Sequence, residues 1–490
     1  MRRWELSIAL DPARELPIFL QLAGAIADDI RQGRLRPGDV LPGSRELAAR
    51  LGVNRNTVVA SYDELAAEGL VRTRAGGGTF IAEPPPQPPA APAADRDRPT
   101  YALPPLVLPP VAPAPAAGLL MLHGAPDTRL FPARVLARAF RRAIELRGRA
   151  LLATTHPAGH MRLRVELAAM LARTRALSVT PDNLLITRSI EQAIDLVART
   201  LIAPGDAVAV EAFGYPPAWS VLRLAGARLL PVAVDGDGLD VDALEALLRE
   251  QPLRAVFLTP HHQFPTTTVM SLQRRQRLAE LALRHGFAII EDDYDHEFHY
   301  EGRPILPIAA GSGGANAIYV GSLSHLLAPG VSTGFVVAPP AMAARLLSLR
   351  AASDARGDAA MECALAELFE DGELLRHARR MRQVYASRRD AMADALRRHL
   401  GGALRFSLPK GGLGLWASAD RGIDVARWSR DAQSEGVLFF DAARYDFRQQ
   451  SGPYMRLGFS YHDAAELDEA VRRMAKALRR QRLRRIGLPG

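Results

Sequence analysis

Residues 84–117 cannot build a packed core. Thirteen of these thirty-four residues are proline, mixed with alanine and few charges. Proline locks φ and donates no N–H, so the stretch should be extended and semi-rigid, rising about 3.1 Å per residue. Fully stretched it would span on the order of 100 Å. The chain is therefore expected to fold as separate modules, residues 1–83 before this linker and 118–482 after it, with a basic tail at 483–490.

The net charge of +9 is not a footprint of the first module, because residues 1–83 hold eleven arginines and eleven acidic residues. The last twenty residues hold eight basic and no acidic side chains and nearly account for the excess. A solvated helix end whose cations suit the helix dipole explains them more simply than contact with phosphates. Cys363 stands alone, which excludes an intramolecular disulfide and a multi-cysteine zinc site. The opening MRRWELSIALDPARELP has acids and a proline where a secretory signal needs an apolar run. No apolar stretch approaches membrane-spanning length, so a cytoplasmic protein without a membrane partner is expected.

Beyond Leu119, short apolar runs alternate with longer amphipathic ones. DNLLIT, DAVAVEA, ARLLPVAV, RAVFLTP, FAIIEDD and AIYVGS read as strands. SIEQAIDLVARTLI, VDALEALLREQ and SLQRRQRLAELALRHG read as helices. That alternation predicts an α/β module with a mainly parallel sheet covered on both faces, its ligands at the carboxyl ends of the strands.

In the first module, 18–32 has helical spacing and runs into the turn-rich GRLRPGD. SRELAARLG follows, with Ser44 as the expected N-cap and Gly52 as the stop; Asn54 then caps RNTVVASYDELAAEG. LVRTRAGGGTFIAE reads as two short strands around a glycine turn. Over 15–83 this α+β pattern resembles the GntR-type winged helix-turn-helix, on LPGSRELAARLGVNRNTVVASYDELAAEGLV and GGGTFIA. The resemblance implies double-stranded operator DNA as partner, with Arg45, Asn54, Arg55, Asn56 and Thr57 at the duplex and Gly77 in the wing. Arginine suits that role because its guanidinium pairs bidentately with guanine or phosphate.

The second module resembles the aminotransferase-like domain of MocR-type regulators, which join a GntR-type winged helix to a fold-type-I pyridoxal phosphate (PLP) scaffold. HGAPDTRLFP, APGDAVAVEAFGYP, LTPHHQFPT, IIEDDYDHEF, YVGSLSH, RHARRMRQVYASRRD and YMRLGFS carry the likeness, in the expected order. It implies a homodimer. It also implies Asp292 at the cofactor's pyridine nitrogen, Tyr294 at its ring hydroxyl, Tyr215 near the ring and Arg456 for a substrate carboxylate.

The rest of the implied site departs from the pattern. The family's Schiff-base lysine is His325, and imidazole is not a primary amine. Only Lys410 and Lys476 exist in the whole chain. The phosphate loop reads Ser189, Ile190, Glu191 instead of Gly-Ser-Gln, and Glu191 would repel a dianion. The phosphate-binding arginine is Ser332, and the glycine of the family's Pro-Thr-Gly is Thr267. No catalytic residue is therefore assigned, and no cofactor: PLP is the family's, but a Schiff base at residue 325 is excluded. The leading reading is a dimeric DNA-binding regulator whose second module senses a small carboxylate or amino acid without Schiff-base chemistry. A PLP-binding regulator or aminotransferase is the alternative. A metal-responsive regulator is the second, because His261, His262, His296, His299 and His325 should converge near Asp292, Asp293 and Asp295. Unspaced histidines carry too weak a signal for a metal site to be assigned.

Overall fold

The computed structural model describes residues 8, 10–14, 16–74, 78–83, 102, 118–122, 124–153, 156–354 and 357–485. Two compact units emerge, Met1–Pro105 and Leu106–Gly490, with their boundary inside the proline-rich stretch. Gly77 and all of that stretch except Ala102 lie outside the described residues, as do 486–490 of the basic tail.

The first unit holds three helices, α1 (Ile18–Arg31), α2 (Ser44–Leu51) and α3 (Arg55–Ala67). Strands β1 (Val40–Leu41), β2 (Val71–Arg74) and β3 (Gly78–Ile81) form an antiparallel sheet in the order β1-β3-β2. Leu22, Ile26, Leu47, Val58 and Leu65 are fully buried at helical spacing and form one core. Each contributes about 1.5–3 kcal/mol of burial. Tyr62 ties the helix pair together by donating its hydroxyl to the Pro42 carbonyl at 2.7 Å. Gly52 ends α2 in the left-handed region, φ 65°. Ser44 does not cap α2: Gly43 stands at the cap and Ser44 is already helical, its hydroxyl free to accept from Arg55.

The second unit is built on a seven-stranded sheet. Its order is Leu184–Thr187, Gly334–Val337, Ala317–Ser322, Ala288–Asp293, Ala255–Leu258, Ala207–Glu211, Arg228–Val232. All pairings are parallel except those of Gly334–Val337, which runs antiparallel to both neighbours. The inner strands are buried along their whole length, which is why they read as continuous apolar runs. Helix Ile190–Leu201 lays Ile190, Ala193, Ile194, Val197 and Ala198 against this core. A smaller antiparallel sheet follows in the order Leu404–Phe406, Gly414–Ala419, Tyr454–Gly458, Phe440–Asp441. Helices Glu373–Leu400, Val425–Ser434 and Ala464–Arg485 contribute to its core.

Gly334 is a close-packing point. A Cβ there would stand 2.5 Å from the Ser189 carbonyl oxygen and 2.6 Å from Thr187 Oγ1. Gly334→Ala is therefore expected to cost about 1–3 kcal/mol, the usual penalty of overpacking. Urea unfolding followed by circular dichroism checks this, and an unchanged midpoint would show that the Ser189 turn yields freely.

Candidate functional site

The two units present different surfaces. In the first, Asn54 caps α3 by accepting the Asn56 N–H at 2.9 Å. The Asn54 carbonyl in turn accepts the Thr57 N–H at 3.0 Å, and the start of such a helix is a suitable place for phosphate. Arg45, Asn54, Arg55 and Asn56 are exposed and Thr57 is partly so. Arg55 Nε donates to Ser44 Oγ at 3.3 Å, which joins the start of α3 to the start of α2, where Arg45 sits. Strand β2 also exposes Arg72 and Arg74. These two were legible in the wing motif as cations at alternate strand positions but are not among the residues picked out from the sequence.

In the second unit, a cavity of about 320 Å³ opens among the strand ends and the loops that follow them. Ile190, Tyr215, Asp292, Tyr294 and His325 line it, so residues from four separate segments of the chain meet. Thr259, Phe264, Arg444 and Tyr445 complete much of the wall. No periodicity or motif distinguishes Arg444 in advance.

Asp292 is the penultimate residue of strand Ala288–Asp293 and is 2 % exposed. Its Oδ1 has no hydrogen-bond partner among the described residues. Burial, then the neighbouring Asp293 carboxylate, pushes its carboxyl well above the usual range. The group is therefore poised to gain from a cation or an N–H donor. Burial lowers His325, so its imidazole is neutral, with Nδ1 unpartnered and its ring 5.5 Å from that of Tyr294. The Tyr294 hydroxyl donates to the His262 carbonyl at 3.0 Å. Thr259 is held by Glu211, which accepts its N–H at 3.2 Å and its hydroxyl at 2.8 Å. Burial pushes Glu211 up to about 8.

Arg456 is not on the cavity wall. It is wholly buried beside the ring of Phe264, 4.7 Å from its centroid, and Nη1 donates to the Pro265 carbonyl at 2.7 Å. Its Nε and Nη2 lack partners among the described residues.

Of the phosphate-side positions, Ile190 lines the ring cavity and Glu191 is bonded to its wall, while Ser189 and Ser332 are not in its lining. Ser189 caps the helix that follows, its hydroxyl accepting the Gln192 N–H at 3.2 Å. Glu191 accepts the Tyr215 hydroxyl at 2.6 Å. Ser332 pairs with Ser324 at 2.7 Å and lines a separate cavity with Thr187 and Arg188. Arg188 is largely exposed and stands 3.8 Å from Asp354. Thr267, at the position of the expected glycine, takes φ 62°. Lys410 and Lys476 are both on the surface, the latter paired with Glu435 at 2.8 Å. The Asp292–Tyr294 side fits the ring of PLP. At residue 325 an imidazole stands where a Schiff base needs a primary amine, and Glu191 and Ser332 offer no cation to a phosphate.

His296 and His299 do not share an α-helical face. The stretch His296–Phe298 is a single 3₁₀ turn and His299 is extended. The turn instead brings both rings close to His261 and His262.

The sequence of residues 124–474 matches the family model described as aminotransferase class I and II, and 19–81 matches bacterial regulatory proteins of the gntR family. The chain is 30% identical to the probable rhizopine catabolism regulatory protein MocR of Rhizobium meliloti, over 96% of this chain and 95% of that one. It is 31% identical to the pyridoxine biosynthesis transcriptional regulator PdxR of Corynebacterium glutamicum, over 89% and 94%. Among solved structures it is similar to the α-aminoadipate aminotransferase LysN of Thermus thermophilus, complexed with N-(5'-phosphopyridoxyl)-L-leucine. That likeness has a TM-score of 0.69 and 30% identity, and covers 74% of this chain and 92% of that one.

Two outcomes follow. His325→Lys with added PLP should give Schiff-base absorbance only weakly, and His325→Lys with Ser332→Arg should tighten PLP about ten- to hundredfold. One hydrogen bond to a charged group contributes about 1.5–3 kcal/mol. Equal PLP affinity in both variants would show that the missing arginine is irrelevant. For Glu211 the folded chain retains a proton that the unfolded chain releases above the ordinary value of 4.5. Its stability contribution is complete below that value and is lost as pH rises to about 8. Glu211→Gln should flatten that decline when urea midpoints at the two ends of the window are compared.

Proposed function

Because the chain belongs to the aminotransferase class I and II family and carries a gntR-family DNA-binding domain in the MocR arrangement, we propose that this HTH-type transcriptional regulator senses an amino acid without a Schiff base. The observation that carries the reading is His325 on the cavity wall with both lysines on the surface. Transamination needs a primary amine to hold the cofactor and shuttle a proton, and no described group near the cavity supplies one.

The ligand class follows from the wall. Asp292 offers a buried, unpartnered carboxyl oxygen to an ammonium group, and Arg444 offers a cation to a carboxylate. Phe264, Tyr445 and Ile190 supply apolar surface. The volume suits a small molecule rather than a peptide. The sequence-derived role of Arg456 passes in this reading to Arg444, with Arg456 supporting the wall from behind Phe264.

The regulator would act as a homodimer on an operator. Arg45, Arg55, Asn56 and Thr57 would read or grip the duplex, with Asn54 holding the start of α3 and Gly77 in the wing. The ligand would work by binding one arrangement of the DNA-binding units better than another.

Fluorescence anisotropy with DNA from upstream of the protein's own coding region tests both halves. Arg55→Ala should cost about 1–3 kcal/mol of operator affinity. One of the common amino acids should shift operator affinity in the parent chain and not in Asp292→Asn. If no amino acid shifts it, the sensing role falls and the second unit is left with dimerisation alone.

A further inference from the structure

The ligand cavity leaves four histidines unexplained. His261, His262, His296 and His299 form one stack: His261 lies 4.1 Å from His262 and 4.5 Å from His296, and His262 lies 5.7 Å from His299, centroid to centroid. His261 is 3 % exposed, and neither of its ring nitrogens has a hydrogen-bond partner among the described residues. An imidazole buried with both nitrogens unsatisfied costs about 1–3 kcal/mol for each polar group left alone. A structure tolerates that where something else fills the place.

We propose that His261, His262 and His299 bind one divalent transition-metal ion of the zinc class, with a fourth position open. Ligand nitrogens of these three residues lie within 4.8 Å of one another. Zinc–nitrogen bonds of about 2.0–2.1 Å at tetrahedral angles put two nitrogens roughly 3.3–3.4 Å apart. His262 Nε2 and His299 Nδ1 stand 3.4 Å apart, long for a hydrogen bond but close to that bite.

The surroundings are those of a ligand set. His262 Nδ1 pairs with Asp295 Oδ1 at 2.7 Å, which directs the Nε2 lone pair at His299. A carboxylate behind a ligating imidazole fixes its tautomer and orients its ring. Gly411 clears the space in front. A Cβ there would stand 2.0 Å from His262 Nε2, so only glycine lets the backbone pass this close to the ring. His299 is partly exposed, so the ion has a way in and water has a place on it. Three neutral imidazoles suit zinc, copper or nickel rather than magnesium or calcium.

A rival set exists. His261, Asp293 and His296 also hold ligand atoms within 4.8 Å. There, however, Asp293 Oδ2 already accepts from His296 Nδ1 at 2.8 Å and from the Tyr319 hydroxyl, and Tyr319 is tied to Arg175 at 2.7 Å. Asp293 Oδ2 and His296 Nδ1 are thus already taken up in a network that leaves His261 out, so this set would have to give up existing bonds to coordinate. The metal site adjoins the ligand cavity through one bond, since Tyr294 on the cavity wall donates to the His262 carbonyl. The proposal does not depend on what the cavity binds.

Chelator-stripped full-length protein titrated with zinc and with cobalt(II) tests it. The expected result is one ion per chain by elemental analysis, visible cobalt absorption of a four-coordinate site and a Tm that rises with zinc. Asp295→Asn should weaken zinc about ten- to hundredfold. His299→Ala, a change at a partly exposed residue, should abolish stoichiometric binding and the Tm rise. His296→Gln should retain both. Absence of a stoichiometric ion in the parent chain overturns the proposal, as does binding that survives His299→Ala. Should His299→Ala not fold by circular dichroism, unchanged affinity in Asp295→Asn serves to overturn it.

Discussion

Parallel hydrogen bonding between Ala255–Leu258, Ala288–Asp293 and Ala317–Ser322 determines what the rest of the second unit can hold. Phe257 is registered opposite Ile290 and Asp292 opposite Val320. Parallel strands end on the same side, so Thr259, Asp292 and the turn bearing His325 emerge together. The apolar stripe of Ile190–Leu201 packs across the same core and brings Ile190 to the cavity wall. Gly334, seated where no side chain fits, keeps the Ser189 turn against the sheet. Burial then acts on the groups so gathered. It raises Asp292 and Glu211 and lowers His325, in each case disfavouring the charged form.

That wall belongs to a cofactor scaffold in one half only. Asp292 Oδ1 is buried and unpartnered, whereas Ser189, Glu191 and Ser332 each have a hydrogen-bond partner nearby. Glu191 is bonded to Tyr215, Ser332 to Ser324 and Ser189 to its own helix. A phosphate arriving there would have to displace these bonds and meet a carboxylate. The first unit shows no such conversion, its helix cap and exposed arginines being arranged as a duplex-binding surface requires.

Much of the fold was legible in the chain because the relevant signals are local. Buried parallel strands must be apolar throughout, and all six strands read from the sequence are present. The antiparallel strand Gly334–Val337 went unrecognised because it is only four residues long and is led by a glycine, too short an apolar run to stand out. Ser44 misled for a related reason. A serine before an apolar run reads as a cap, but here the helix starts one residue earlier and the hydroxyl serves Arg55.

The sequence by itself determined the two-module organisation, the winged helix, the α/β class and the absence of an amine at residue 325, since each depends on residue identity, spacing or composition. Only the tertiary structure showed that Arg444 lines the cavity while Arg456 packs against Phe264, and that Glu191 is bonded to Tyr215 and Ser332 to Ser324. It alone stacked His261, His262 and His299 within ligand distance. These depend on where strands and loops end in space, which is set by long-range packing and register, and no pattern along the chain encodes a distance between side chains that meet only after folding.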